Sequence, residues 1–276
     1  MNKVYKMISI CLTVFNSEDT IEKCLKSISS DLLKNSEFCV VDAGSKDNTL
    51  KNIKELKNEL YDFEFQIVVK EACSIGEGRN IATKLAQGEY IIIVDADNQY
   101  LHLYELFLKF KKDIDEGNAI TLYQSSNSNK GDIHLIMLLK SVFMRTGGYP
   151  DVSNAEDIIF GMKLRKLTNV ISIETNLGNV LPVHGTYDLI NRYAYNKIDR
   201  MKRKLKALSV HSTLYSYSDF VYFNRKIPEM NRKGINKDLV IYYYIIGKML
   251  SLITLSRKTR NEILSVRSIS DSGRFE

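Results

Sequence analysis

Residues 90–99 read Tyr-Ile-Ile-Ile-Val-Asp-Ala-Asp-Asn-Gln. Tyr90–Val94 is a short, continuously apolar run rich in β-branched residues. That is the signature of a strand buried on both faces, as in a parallel sheet covered by helices. Two carboxylates, Asp95 and Asp97, follow the strand directly. Working back toward the N-terminus, strand-like runs alternate with helical stripes. Met7–Val14 reads as a strand, then Asp19–Ser29 as a helix with Ile21, Cys24, Leu25 and Ile28 on one side. Phe38–Val41 is the next strand, Asn48–Leu60 a helix, Phe65–Val69 a strand and Arg79–Ala86 a helix stopped near Gly88. Strands and helices alternating at this pace imply βαβ units, a mainly parallel sheet and a ligand site at the carboxyl ends of the strands.

Those ends carry polar groups. The first strand ends in Thr13-Val14-Phe15-Asn16 and the second in Asp42-Ala43-Gly44-Ser45-Lys46-Asp47-Asn48-Thr49. Both should open on the same edge as Asp95. Gly44 permits a tight turn. Asp47 suits the cap of the following helix, leaving Asp42 free to accept hydrogen bonds from a ligand. Arg79 could aim a guanidinium at phosphates. Alternate carboxylates at a strand end need a cation to offset their repulsion, and hard oxygen ligands suit Mg²⁺ or Mn²⁺. A plain polar turn would also account for the pair taken alone.

The set Thr-Val-Phe-Asn (13–16), Val-Asp-Ala-Gly-Ser-Lys-Asp-Asn-Thr (41–49), Gly-Arg-Asn (78–80) and Gln-Gly-Glu-Tyr-Ile-Ile-Ile-Val-Asp-Ala-Asp (87–97) resembles, in order and spacing, the nucleotide-binding half of the family 2 glycosyltransferases. Gly-Gly-Tyr-Pro-Asp-Val (147–152) and Ala155-Glu156-Asp157 opening a helix resemble that family's acceptor side. The likeness spans roughly residues 7–184. It implies an α/β fold of GT-A type and an inverting transfer from a nucleotide-diphosphate sugar, a UDP- or GDP-sugar, to the hydroxyl of a glycan or lipid-linked acceptor. By the same resemblance Thr13, Phe15, Asn16, Asp42, Gly44, Arg79, Asp95 and Ala96 would bind the donor. Asp97 would be the direct metal ligand for Mn²⁺ or Mg²⁺, with His184 and Gln99 as further candidates. Gly148 and Glu156 would face the acceptor, and Asp157 would be the catalytic base, its pKa raised by Glu156 beside it. These residue types suit inversion: one carboxylate takes the proton of the attacking hydroxyl, and a cation balances charge growing on the leaving diphosphate. The chain departs from the family's pattern where Ala43 follows Asp42, since many relatives carry two acids there, and where Phe15 stands at a position often held by tyrosine.

Asp95-Ala96-Asp97-Asn98-Gln99 also resembles the stretch in dolichyl-phosphate sugar synthases, which makes a polyprenyl-phosphate sugar synthase the runner-up. A sugar-1-phosphate nucleotidylyltransferase would need a Gly-rich loop after the first strand, and Phe15-Asn16-Ser17-Glu18 has none. A non-catalytic nucleotide-sugar-binding module is the alternative from another class.

Charge divides the chain. Residues 1–184 hold 21 basic and 25 acidic side chains, residues 185–276 hold 18 and 8. This suggests a catalytic domain over 1–184, with a nucleotide-sugar half at 1–100 and an acceptor half at 101–184, and a helical extension over 185–276. In that extension Tyr187–Leu208 reads as a long basic helix with a stripe through Ile198, Met201 and Leu205. Lys237–Leu255 reads as an apolar helix whose Leu239–Leu255 run is broken by Lys248 alone. The basic helix fits a solvated face with a buried stripe or a membrane surface. Nucleic acid is disfavoured because no nucleic-acid module accompanies the charge. Leu239–Leu255 is first read as a buried helix, then as one lying on a membrane, then as a span. Cys11, Cys24, Cys39 and Cys73 form no Cys-x-x-Cys pair and read as reduced thiols. No signal peptide is visible, so the default expectation is a cytoplasmic protein with peripheral contact to the cytoplasmic membrane face.

Overall fold

The computed structural model describes residues 8–29, 36–60, 62–117, 121–125, 133–174, 180–183, 197–215 and 237–267. Its strands are β1 (Ile8–Val14), β2 (Glu37–Asp42), β3 (Glu64–Val69), β4 (Tyr90–Val94), β5 (Asn98–Tyr100), β6 (Thr121–Ser125), β7 (Ile133–Leu139), β8 (Val170–Glu174) and β9 (Val180–Pro182). Its helices are α1 (Ile21–Ser29), α2 (Thr49–Glu59), α3 (Ile75–Leu85), α4 (Leu103–Asp115), α5 (Lys140–Thr146), α6 (Glu156–Leu167), α7 (Lys197–Leu214), α8 (Lys237–Thr254) and α9 (Arg257–Arg267).

Seven strands form one sheet in the order β3-β2-β1-β4-β7-β6-β8, and β5 pairs with β9 in a small second sheet. Every neighbouring pair of the large sheet is parallel except those that β7 makes with β4 and β6. The reversal at β7 leaves β1, β2 and β4 opening on one edge.

Residue alternation explains the layering. Ile8, Ile10, Leu12 and Val14 of β1 pack on one side with Ile21 and Leu25 of α1 and Phe107 and Phe110 of α4. Cys11 lies on the other side with Ala82 of α3 and Phe143 and Phe160. All five residues of β4 are buried, as its apolar run requires. Each such large apolar side chain removed from water contributes about 1.5–3 kcal/mol. A third core joins Ile159 and Met162 of α6 to Val210 and Leu214 of α7 and Ile263 and Val266 of α9. The C-terminal helices therefore dock on α6. All four cysteines are free thiols, and three of them are buried.

Several elements differ from their sequence reading. Helix α3 starts at Ile75 rather than Arg79, because Ser74 Oγ accepts the amide of Glu77 at 3.0 Å and caps it there. This Ser-x-x-Glu spacing marks a helix start that the apolar stripe alone did not show. Helices α4 and α9 were not foreseen. The described part of the basic helix covers Lys197–Leu214, six residues further along than expected. Its expected buried stripe is exposed at Met201 and Leu205; the core is filled instead by Val210 and Leu214. Helix α8 is not a buried helix either, since most of its large apolar side chains face outward. Among the described residues no helix is long and apolar enough to cross a membrane.

Candidate active site

The edge formed by β1, β2 and β4 is laced by short polar side chains. Asp42, the last residue of β2, is almost fully buried, and its Oδ1 accepts the amides of Gly44 at 2.8 Å and Ser45 at 2.7 Å. Its carboxylate thus shapes the 43–45 turn at the open edge. Asn16 takes a left-handed conformation, with φ of 47°, and its Oδ1 accepts the Lys46 amide at 2.9 Å. Ser45 Oγ accepts the Asn16 amide in return. Asp47 accepts the Thr49 amide and hydroxyl through Oδ1 and the Glu18 amide through Oδ2. The loops after β1 and β2 are therefore one hydrogen-bonded unit. Phe15 sits half-buried in it. The Thr13 side chain packs against α3, where a Cβ added to Gly78 would lie 2.4 Å from Thr13 Cγ2. Thr13 Oγ1 is buried with no hydrogen-bond partner.

After β4 the chain alternates. Asp95, Asp97 and Gln99 are half-buried, whereas Ala96, Asn98 and Tyr100 are buried. The three polar candidates thus share one side of the segment. Its rear is anchored by Tyr100, whose hydroxyl accepts the Asp95 amide at 2.7 Å, and by Cys24, whose Sγ reaches Asp95 O at 3.5 Å. The Val183 amide donates to Asp97 O at 2.7 Å, so the end of β9 lies against Asp97. His184, next in the chain, lies outside the described residues.

Arg79 joins the two sides of the site. Its guanidinium is buried, with Nη2 at 2.7 Å from Asp95 Oδ1 and Nη1 at 3.1 Å from Glu156 Oε1. It also lies over the Tyr149 ring, 5.2 Å from the centroid. Both terminal nitrogens hold protein carboxylates. Burial alone would lower its pKa, but Asp95, Tyr149, Glu156 and Asp157 around it carry it above its usual value. Burial also pushes the Glu156 carboxyl up to about 7, although Arg79 draws it down; the Asp157 charge adds to the rise.

The loop at 147–152 combines two left-handed glycines with buried polar groups. Gly147 and Gly148 both have positive φ. A Cβ at Gly148 would fall 2.3 Å from Asn80 Oδ1. Asn80 uses both ends of its amide on Tyr149, accepting its N–H at 2.8 Å and donating to its carbonyl at 2.9 Å. Tyr149 stacks on Phe160 at 4.1 Å, and its hydroxyl is buried without a partner. Lys163 donates to Gly148 O at 2.7 Å and pairs with Glu262 of α9. Ser74 Oγ donates to Asp151 Oδ1 at 2.7 Å, tying the start of α3 to the same loop. Ala155, left-handed with φ of 57°, then delivers Glu156 and Asp157 into the first turn of α6. Asp157 is half-buried there, and its Oδ1 accepts the Ile158 amide at 2.8 Å. Sequence reading missed Asn80, Tyr149 and Lys163. The Gly-Arg-Asn (78–80) and Gly147-Gly148-Tyr149 runs held Asn80 and Tyr149 but gave no sign of their contacts.

A divalent cation fits the donor set only in part from the protein. Asp97 offers a half-exposed carboxylate, and Gln99 an amide oxygen on the same side. No group of three His, Cys, Asp or Glu gathers among the described residues. Such a site suits a metal whose shell is completed by substrate phosphate oxygens.

A sheet of this order, with a carboxylate pair after β4 and a second acidic pair opening the helix beyond the reversed strand, is the GT-A fold. Residues 9–199 match Glycosyl transferase family 2, and the chain belongs to that family. It is 29% identical over 248 residues to a poly(ribitol-phosphate) beta-glucosyltransferase of Bacillus spizizenii, covering 84% of this chain and 36% of that protein. The chain spans between 21% and 37% of the length of four curated relatives. The crystal structure of Staphylococcus aureus TarS 1-349 in complex with UDP-GlcNAc superimposes with a TM-score of 0.55 at 16% identity, over 98% of this chain and 93% of that one. A mannosyltransferase of Pyrobaculum calidifontis, in complex with GDP-Man and Mn²⁺, does so with a TM-score of 0.56 at 15% identity, over 98% of this chain and 88% of that one.

Proposed function

We propose that this protein is a metal-dependent, inverting glycosyltransferase that moves a sugar from a UDP- or GDP-sugar to the hydroxyl of a glycan or lipid-linked acceptor. One observation carries the reading: buried Arg79 holds Asp95 of the donor-side carboxylate pair and Glu156, the neighbour of Asp157, on its two terminal nitrogens. The two carboxylate centres that such a transfer requires are thereby held at one cleft. The family match and the neighbours bound to UDP-GlcNAc and to GDP-Man with Mn²⁺ support the donor class and the cation.

In this reading Asp97 would hold Mn²⁺ or Mg²⁺, with Gln99 and His184 as secondary contacts, and the bound ion would supply charge balance for the leaving diphosphate. The 13–16 and 42–45 loops, with Ala96, shape the pocket for base and ribose. Arg79 acts as a positioning residue between the two carboxylate groups. Asp157 takes the proton from the acceptor hydroxyl as that oxygen attacks the anomeric carbon. Gly148 and Glu156 line the acceptor side. Residues 1–184 would form the catalytic part, and residues 185–276 an extension touching the cytoplasmic face of a membrane.

The test is a panel of nucleotide sugars with Mn²⁺ or Mg²⁺, read by donor hydrolysis and by thermal shift, on the wild type and Asp157→Asn. The wild type should release nucleotide diphosphate from one donor. The variant should lose about 10²–10⁴-fold in turnover while still binding that nucleotide. Normal transfer by the variant sinks the base assignment. Wild-type binding without hydrolysis or transfer favours the non-catalytic module.

A further inference from the structure

Helix α8 is built inside out for a water-facing helix. At 100° per residue, Ile241, Tyr242, Ile245, Met249, Leu252 and Ile253 fall within an arc of about 120°. All six are exposed, with Met249 at 62%, Leu252 at 67% and Ile253 at 83%. The opposite arc carries Gly247, Ser251 and Thr254 among Tyr243, Tyr244 and Leu250. Gly247 abuts Ser212, where an added Cβ would lie 2.6 Å from Ser212 Oγ. Ser251 is buried, and Thr254 Oγ1 donates to Ser209 Oγ at 3.0 Å. On the α7 side of this contact Ser209, Ser212 and Thr213 are all buried. Small hydroxyl residues between helices and large apolar residues outward is the arrangement of helices packed in lipid.

Charge identifies the occupant. Between Leu239 and Asn261 the sequence has Lys248, Arg257, Lys258 and Arg260 and no acid. Tyr244 meets Tyr215 and Gly247 meets Ser212, whereas Thr254 meets Ser209, so α7 and α8 run antiparallel. The exposed Lys202 and Lys206 near the start of α7 therefore lie toward the same end as the exposed Arg257 and Lys258 after α8. A basic rim beside an apolar face complements an anionic lipid surface. A second copy would bring the same cations to the seam. No described helix can span a bilayer, so the fit is in the plane of the interface.

We infer that the outward face of α8 is an in-plane membrane anchor, with Ile245, Met249, Leu252 and Ile253 entering the acyl boundary of an anionic bilayer and the Lys202, Lys206, Arg257 and Lys258 end meeting headgroups. This deepens the peripheral contact proposed above. It is read by partitioning, which is independent of turnover, so its failure and that of the transferase reading are distinguishable.

The chain has no tryptophan. Leu252→Trp therefore gives a single reporter on this face. With vesicles of phosphatidylglycerol and phosphatidylcholine its emission should shift to the blue and be quenched by acyl-brominated lipid. With phosphatidylcholine alone it should stay near its value in buffer. Ile245→Ser/Met249→Ser/Ile253→Ser should abolish sedimentation of the full chain with the anionic vesicles. Each cation removed from the four should weaken partition about fivefold. The triple variant changes only exposed positions, so its melting temperature should not fall, which separates lost binding from lost folding. No quenching by brominated lipid overturns the proposal. So does a wild type that does not sediment with vesicles but is a dimer by light scattering, dissociated by the triple variant; the face then belongs to a second copy.

Discussion

Two parts of the site, facing donor and acceptor in the proposed reading, are held by different physics. On the donor side, the loops after β1 and β2 are bound by short polar side chains accepting nearby amides: Asp42 for Gly44 and Ser45, Asn16 for Lys46, and Asp47 for Thr49 and Glu18. On the acceptor side, residues 147–157 are held by left-handed residues at 147, 148 and 155 and by a buried guanidinium between two carboxylates. Each donor-side bond is modest alone, about 1 kcal/mol, and the set is redundant. The acceptor-side devices are few and costly to break. Mutation should therefore be far more damaging at 79 and 148 than anywhere in the donor loops.

The largest effect is expected at Arg79. Arg79→Ala strips Asp95 and Glu156 of their shared cation in a buried site. Removing one partner from such a group costs about 3–5 kcal/mol. Chemical denaturation should show that loss near neutral pH, and the deficit should shrink in the double variant Arg79→Ala/Glu156→Gln. Equal deficits in the single and double variants would mean that the buried acid is not what destabilises the first.

Next comes pH. The Glu156 carboxyl is raised from 4.5 to about 7 in the folded protein. The folded state therefore binds the proton more tightly than the unfolded chain. The stability linked to this group is fully present below about pH 4.5 and is lost as pH rises through about 7. Its slope over that window approaches about 1.4 kcal/mol per pH unit. Glu156→Gln should flatten unfolding free energy against pH between 4.5 and 7. An unchanged slope would assign the proton uptake to another group.

At Gly148 the backbone has φ of +79°, and the space a Cβ would need is taken by Asn80 Oδ1. Gly148→Ala should cost about 1–3 kcal/mol in backbone strain, with a further loss as Asn80 is displaced from Tyr149. The donor-side counterpart is milder. Asp47→Ala removes the acceptor for Thr49 at the start of α2 and should cost about 1 kcal/mol. A loss at Asp47 that matches or exceeds the one at Gly148 would erase the contrast between the two sides.

The same contrast explains what the sequence made legible. The sheet half could be read because burial on both faces forces a continuous apolar run at 90–94, and polar residues at strand ends mark the open edge. Asp42 and Arg79 were correctly placed along the chain, but the protein partners they hold were not foreseen. Their partners are an amide two residues away in one case and a carboxylate 77 residues away in the other. Long-range partners leave no local signal. Helix α8 shows the opposite failure. Its apolar run was legible, but which arc faces the protein depends on Gly247 and Ser251 fitting against α7, and tertiary contact decides that.

Ala155 offers the finest test of the comparison, because there the strained residue lacks the excuse of being glycine. Its φ of 57° sits immediately before the acidic pair. A left-handed residue with a Cβ costs about 1–2 kcal/mol in the folded state. Glycine would relieve that but adds back about 0.4–1 kcal/mol of unfolded-chain entropy. Ala155→Gly should therefore stabilise the fold by about 1 kcal/mol or less, opposite in sign to Gly148→Ala. If turnover falls in the same variant while the melting temperature rises, the strain at 155 serves to fix where Asp157 stands. A rise in melting temperature with turnover unchanged would leave that orientation to Arg79 and Glu156 alone.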